Sequence, residues 1–291
     1  MKVLILGGTG FIGKHLNDFL SRQRHEVQAL GRTAFEEDFD LVSAVNGQDA
    51  IVMLAGENIG KRWSEKYKEA LLTSRVDTSQ QLKQAIELCH DKPKRILTAS
   101  AIGIYPENDC QHPIDESTEL GRDNFLAKLG QAWEQQNSKL NPKPVVMRFG
   151  VVLGKSGGAL AKMLPAFKLG FGGPIAGGKQ CFSWIHIQDL LRAIEYLIKN
   201  PQLEGAFNLT APTPLTQEDF GQTLANVLSR PYFMPMPLWL LKWLFGEGAQ
   251  VLTHSSAVLP KRLLDEGFTF EFTKADSALE NLLHGDVNRL I

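Results

Sequence analysis

The segment Gly7-Gly8-Thr9-Gly10-Phe11-Ile12-Gly13 carries the clearest chemical signal in the chain, because glycines at its first, fourth and seventh places strip side chains from one face of a turn. A diphosphate can then approach the main chain. A helix opening directly after the turn adds free N–H groups and the positive end of its dipole. The apolar run Val3-Leu4-Ile5-Leu6 precedes the turn, and Ile12, Leu16, Phe19 and Leu20 follow it at helical spacing. That strand, turn and helix context distinguishes a dinucleotide-binding loop from an ordinary glycine-rich turn. Gly7, Thr9, Gly10, Phe11, Ile12 and Gly13 are therefore assigned to a cofactor.

The residues after the second strand decide which cofactor. A carboxylate there binds the ribose 2′-hydroxyl of NAD, whereas a base neutralises the 2′-phosphate of NADP. The chain reads Leu30-Gly31-Arg32-Thr33, with no carboxylate. A guanidinium can pair a phosphate in bidentate fashion, so Gly31 and Arg32 join the cofactor set and NADP is expected over NAD. Leu54-Ala55-Gly56 closes the third long strand, where the chain passes beneath the adenosine ribose and Gly56 permits close approach. Leu71, Arg75, Thr78, Leu82, Ile86 and Cys89 fall on one helix face, so Arg75 needs an anion inside the fold. That anion is either a cofactor phosphate or a nearby carboxylate, and Arg75 is kept among the cofactor-binding candidates.

These residues need a sheet to hold them. Strands read at Val3–Leu6, His25–Leu30, Ala50–Leu54, Lys94–Ala99 and Pro144–Phe149, with room for a crossover helix between most of them. The fold class is α/β: a Rossmann-type doubly wound parallel sheet with a smaller mixed α/β C-terminal substrate lobe. Beyond Gly150, glycines at 154, 157, 158, 170, 172, 173, 177 and 178 read as a flexible covering loop. The expected division is 1–153 plus about 183–205 for the NADP-binding domain, and 154–182 plus about 206–291 for the substrate lobe.

Composition narrows the function classes. Thirty-one basic residues against 32 acidic ones give a net charge of -1, a balance that supplies no field for nucleic acid or an anionic membrane. The three cysteines, Cys89, Cys110 and Cys181, fit neither a disulfide framework nor a CxxC metal site, so no metal and a reducing cytoplasm are expected. Lys2 leads straight into a strand, leaving no room for a signal peptide, and Pro237–Phe245 is too short to span a bilayer. A soluble monomer or homodimer acting on a small molecule is the expectation.

The glycine loop, Leu54-Ala55-Gly56, Ser100-Ala101-Ile102-Gly103-Ile104-Tyr105 and Trp184-Ile185-His186-Ile187-Gln188-Asp189 together resemble the extended short-chain dehydrogenase/reductases over nearly the whole length. More narrowly, the chain resembles their atypical epimerase-family branch, which is NAD-dependent epimerase/dehydratase-like and carries a short C-terminal domain. The narrower match lies in Glu57-Asn58-Ile59, Lys61-Arg62-Trp63, Gly150–Gly154, Met163-Leu164-Pro165, Gly172-Gly173-Pro174 and Leu259–Leu263. The resemblance implies hydride chemistry in which a tyrosine, activated by a lysine four residues on, exchanges the proton and a serine orients the substrate. Ser100 stands at the serine's place and is the catalytic candidate, although a strand-end hydroxyl can equally cap local backbone.

The tyrosine and lysine are missing. Four residues beyond Tyr67, Tyr105, Tyr196 and Tyr232 stand Leu71, Asp109, Asn200 and Met236, and Leu126 and Gly130 occupy the family's pair positions. Lys128 points away from Leu126. The family's arginine for a substrate diphosphate is replaced by Phe182-Ser183-Trp184, which argues against nucleotide sugars and for an apolar or aromatic ligand, unless both aromatics are core. His186 reads as a structural histidine. Two functions follow: an NADP-dependent oxidoreductase or epimerase of atypical mechanism, its protons handled by Ser100, Tyr105, Glu57 or water, and a non-catalytic NADP(H)-binding regulator. The apolar Leu238–Phe245 helix is either covered by its own lobe or free for a membrane surface or partner.

Overall fold

A computed structural model describes residues 1–285. Strands and helices alternate as β1 (Lys2–Leu6), α1 (Phe11–Arg22), β2 (Glu26–Leu30), α2 (Leu41–Val45), β3 (Ala50–Met53), α3 (Glu65–Leu88), β4 (Arg95–Ala101), α4 (Phe125–Asn137) and β5 (Val145–Phe149). The chain continues through β6 (Val151–Gly154), α5 (Gly158–Lys168), β7 (Cys181–Phe182), β8 (Trp184–His186), α6 (Ile187–Lys199), β9 (Gly205–Leu209) and β10 (Leu215–Thr216). It ends with α7 (Gln217–Val227), α8 (Leu238–Phe245), α9 (Gln250–Thr253), α10 (Lys261–Asp265) and α11 (Ala275–His284). The last residues assigned to the substrate lobe, 286–291, lie outside the described ones.

Six strands form one parallel sheet in the order β2-β1-β3-β4-β5-β9. Val3–Leu6 and Ala50–Met53 have no exposed surface, as strands covered by helices on both faces require. From β1 the chain steps outward to β2 and then returns to β3 on the other side. Helices on either side of that reversal part, and a crevice opens at the carboxyl ends of β1 and β3. The glycine turn and Leu54-Ala55-Gly56 both emerge there.

Helix α6 shows how the sheet is sealed. Leu190, Leu191, Ile194, Leu197 and Ile198 fall on one buried face, each contributing roughly 1.5–3 kcal/mol by leaving water. Asp189, fully buried on the same helix, accepts the backbone N–H groups of Glu271 (2.9 Å) and Phe272 (2.8 Å) and a hydrogen bond from Arg192 (2.7 Å). A carboxylate so satisfied tolerates burial and ties the C-terminal segment to the sheet.

Four expectations need correction. Ala206–Leu209, placed in the lobe, is the core of β9 and extends the central sheet beside β5, because its burial on both sides needs a sheet neighbour. The glycine-punctuated stretch 154–182 is more than a loop, since α5 occupies Gly158–Lys168 and buries Leu160, Leu164 and Phe167. Cys110 and Cys181 form a disulfide with Cα atoms 5.5 Å apart, although 71 residues separate them, a proximity that only tertiary structure creates. Helix α8 is not covered by its lobe: Trp239 and Trp243 are exposed while Leu241 alone is buried. Among the described residues no helix is long and apolar enough to cross a membrane.

Candidate active site

The crevice holds a cavity of about 380 Å³ that runs from the glycine turn to the end of β4. Gly7, Gly10, Phe11, Ile12 and Gly13 line one end, and Ser100, Leu126, Gly130 and Trp133 line the other. Its walls are apolar apart from Glu57, Arg75, Ser100 and the indole of Trp133.

Backbone geometry builds the first end. Gly7 has φ +91°, and a side chain there would also strike the Leu54 carbonyl carbon at 2.7 Å. A Cβ on Gly13 would stand 2.4 Å from the Gly7 oxygen, so only glycine lets α1 begin this close to the turn. No side chain caps α1. Its first N–H groups and dipole are therefore left free at the cavity as an anion cradle, the feature a dinucleotide diphosphate requires.

Charged groups surround the cradle. Arg32, 82% exposed, reaches across to Glu57 with an N to O distance of 2.6 Å. The second Glu57 oxygen accepts from the Asn58 N–H (3.2 Å), with Lys61 at 3.6 Å, and the Tyr67 hydroxyl lies 3.2 Å from it and 2.6 Å from the Asn58 carbonyl, its shorter acceptor. Partial burial works against the Glu57 charge, but Asn58, Arg32 and Lys61 outweigh it and hold the carboxyl below its usual pKa. Burial and the Glu57 charge together push the Tyr67 phenol up, so it stays protonated. Arg75 lines the cavity and, among the described residues, pairs with no carboxylate. It donates to the carbonyls of Leu71 (2.9 Å) and Glu57 (3.1 Å), lies over the Trp133 ring at 4.9 Å, and is pulled down to about 10 by burial. Gly56 backs onto this guanidinium.

The second end is a side-chain network. Ser100, 2% exposed, donates to Glu134 Oε1 at 2.6 Å. Arg148 grips the same carboxylate through Nε (2.9 Å) and a terminal nitrogen (2.8 Å), a bidentate pair that is nearly buried. The other terminal nitrogen of Arg148 donates to the Tyr105 hydroxyl (2.7 Å), which in turn donates to Asn208 (2.9 Å). Tyr105 is fully buried, burial raises its pKa, and it does not line the cavity, which removes it from the expected proton carriers. Gly130 is pressed on Ile104, whose Cβ would be 3.0 Å from a Cβ added there, so a lysine at this place requires Ile104 to shift by a few tenths of an ångström. Lys128 is exposed, as its helix position predicts.

Phe182 and Trp184 stand apart from the cavity. Trp184 is core, and Phe182 packs on Phe220 at 4.5 Å between ring centres. His186 is fully buried, stacks on Phe272 at 3.9 Å, and accepts the Gln188 N–H at the start of α6. Burial pulls its pKa down to about 4, so it is a neutral structural ring near pH 7.

Residues 3–209 match the model of the NAD dependent epimerase/dehydratase family, and residues 236–282 match a domain of unknown function, DUF1731. The chain belongs to the NAD-dependent epimerase/dehydratase family. Relatives include the epimerase family protein YfhF of Bacillus subtilis, 33% identical over 97% of this chain and 98% of its own. The mouse epimerase family protein SDR39U1 is 35% identical, with 97% and 100% covered. Among solved structures, human SDR39U1 (isoform 2) with NADPH superimposes with a TM-score of 0.88 at 33% identity, covering 97% of this chain and 99% of that one. The UDP-N-acetylglucosamine 4-epimerase of Bacillus cereus, 19% identical with a TM-score of 0.75, shares the fold.

Within this epimerase-family fold, sequence reasoning overlooked Glu134, Arg148 and Trp133. Glu134 was discoverable in principle, because it lies one helical turn beyond Gly130 on the face that carries Leu126. Arg148 had no comparable signal, since an arginine amid the apolar Val145–Phe149 strand gains its meaning only from the carboxylate opposite.

Proposed function

We propose that the protein is an NADP-dependent oxidoreductase or epimerase-like enzyme of atypical mechanism, acting on a small molecule with an apolar or aromatic body. The observation that carries this reading is the continuity of one cavity from the glycine cradle to Ser100. A nicotinamide, when bound, exchanges hydride with a substrate carbon. The free N–H groups at the start of α1 would hold the diphosphate, with Gly7, Gly10 and Gly13 keeping side chains away from it and Arg32 meeting the 2′-phosphate. NADPH in the human relative supports the choice of cofactor.

Ser100 commits its hydrogen to Glu134 and thus offers lone pairs to a ligand. Its natural partner is a hydroxyl, which it would orient beside the apolar walls of Leu126, Leu129 and Phe149. Those walls exclude water from the reacting carbon. The test is a panel of apolar alcohols and carbonyl compounds assayed by cofactor absorbance. Turnover that falls about a hundredfold in Ser100→Ala supports the reading.

The tight seat of Gly130 on Ile104 favours a second reading, a regulator that binds NADP(H) without turnover. Such a regulator needs different affinities for the two redox states. Equal calorimetric affinities for NADP and NADPH would remove it.

A further inference from the structure

Arg32 and Glu57 leave the carboxyl ends of β2 and β3, the two strands that flank β1. Their ion pair therefore straddles the end of the sheet from which the glycine turn emerges, and Gly31 beside Arg32 packs on the Thr9 side chain of that turn. The two partners are held very differently. Glu57 is anchored: its N–H donates to Ser74 (3.0 Å), its carbonyl accepts from Arg75, and its second carboxylate oxygen accepts from the Asn58 N–H with Lys61 nearby. Arg32 is 82% exposed, and Glu57 is the one anionic side chain paired with it among the described residues.

We infer that Glu57 is a built-in competitor for Arg32, an internal anion which the 2′-phosphate of NADP must displace and which the 2′-hydroxyl of NAD cannot. This rests on the NADP reading above. Displacement is inexpensive because the Arg32 guanidinium is already exposed to water and Glu57, itself largely covered, retains the Asn58 N–H and the nearby Lys61. The carboxylate left behind still faces the incoming phosphomonoester and opposes it. Glu57 thereby sets both the affinity for NADPH and the margin over NADH, acting on selectivity through Arg32.

Titration of the full-length protein with NADPH and NADH, following nucleotide fluorescence, tests this in wild type, Glu57→Gln, Arg32→Ala and the double variant. Glu57→Gln should tighten NADPH about two- to fivefold, as expected for release of a pair whose guanidinium is exposed, and leave NADH within about twofold. The gain should vanish in the Arg32→Ala background and shrink with added salt. A gain that persists without Arg32 overturns competition for the guanidinium, as does unchanged or weaker NADPH binding by folded Glu57→Gln. Glu57→Asp, which keeps the charge, should bind NADPH no more tightly than wild type, and matching the Gln variant would also overturn the inference. If wild type binds no NADPH the cofactor reading itself fails, and if Arg32→Ala binds it as tightly as wild type the assignment of Arg32 to the 2′-phosphate fails and the inference with it, results separable from the others.

Discussion

The two ends of the cavity are built from different materials. At the glycine-turn end the working groups are main-chain atoms, shaped by Gly7 and Gly13, whose close neighbours are the turn itself and the Leu54-Ala55 main chain beyond the adjacent strand. At the substrate end they are side chains from three elements, with Ser100 of β4, Glu134 of α4 and Arg148 of β5 locked together. A backbone cradle can be kept by retaining glycines. A buried ionic network stands or falls with each member, and here it occupies the region where Leu126 and Gly130 displace the tyrosine and lysine of related reductases.

The sharpest way to break this contrast is Arg148→Ala. It strands the Glu134 carboxylate and should cost about 3–5 kcal/mol in denaturant unfolding, while replacing both partners by leucine or methionine should recover most of that loss. If Arg148→Ala unfolds like wild type, the network is not what holds this end together.

That contrast also explains what could be read in advance. The glycine turn, the strand ends and the doubly wound class follow from local spacing and periodicity, so the cradle was legible from residues 1–60 and five of the six sheet strands from the stretch up to Phe149. Arg75 was found but its partner was not, because backbone carbonyls leave no mark in a sequence. The Ser100–Glu134–Arg148 contact joins residues 34 and 14 positions apart on separate elements, and neither propensity nor spacing announces such a meeting. The disulfide and the sheet role of β9 escaped for the same reason.

Acid sensitivity should have a source apart from both ends. His186 is neutral in the folded protein with a pKa of about 4, whereas its ordinary value is 6.5, so the unfolded chain takes up the proton first. The stability it preserves is complete above pH 6.5 and is lost as pH falls toward 4, by about 3 kcal/mol at roughly 1.4 kcal/mol per pKa unit. Denaturant melts of wild type and His186→Gln across that range check it. An equal slope in both would move the origin of acid loss elsewhere.

A smaller effect is expected from rebuilding the missing pair. Leu126→Tyr with Gly130→Lys should destabilise by about 1–3 kcal/mol, because the new side chain meets Ile104, and should add no carbonyl-reducing activity. Thermal unfolding and a cofactor-absorbance assay read the two halves of that statement. Full stability together with new turnover would mean that the substrate end tolerates the ordinary chemistry after all.

The most direct measurement is a nucleotide titration of the folded protein, comparing NADPH and NADH in wild type and in Arg32→Ala. The account predicts tighter binding of NADPH and a margin over NADH that narrows by several-fold, up to about tenfold, when Arg32 is removed. Equal affinities in wild type, or no binding of either nucleotide, would contradict it.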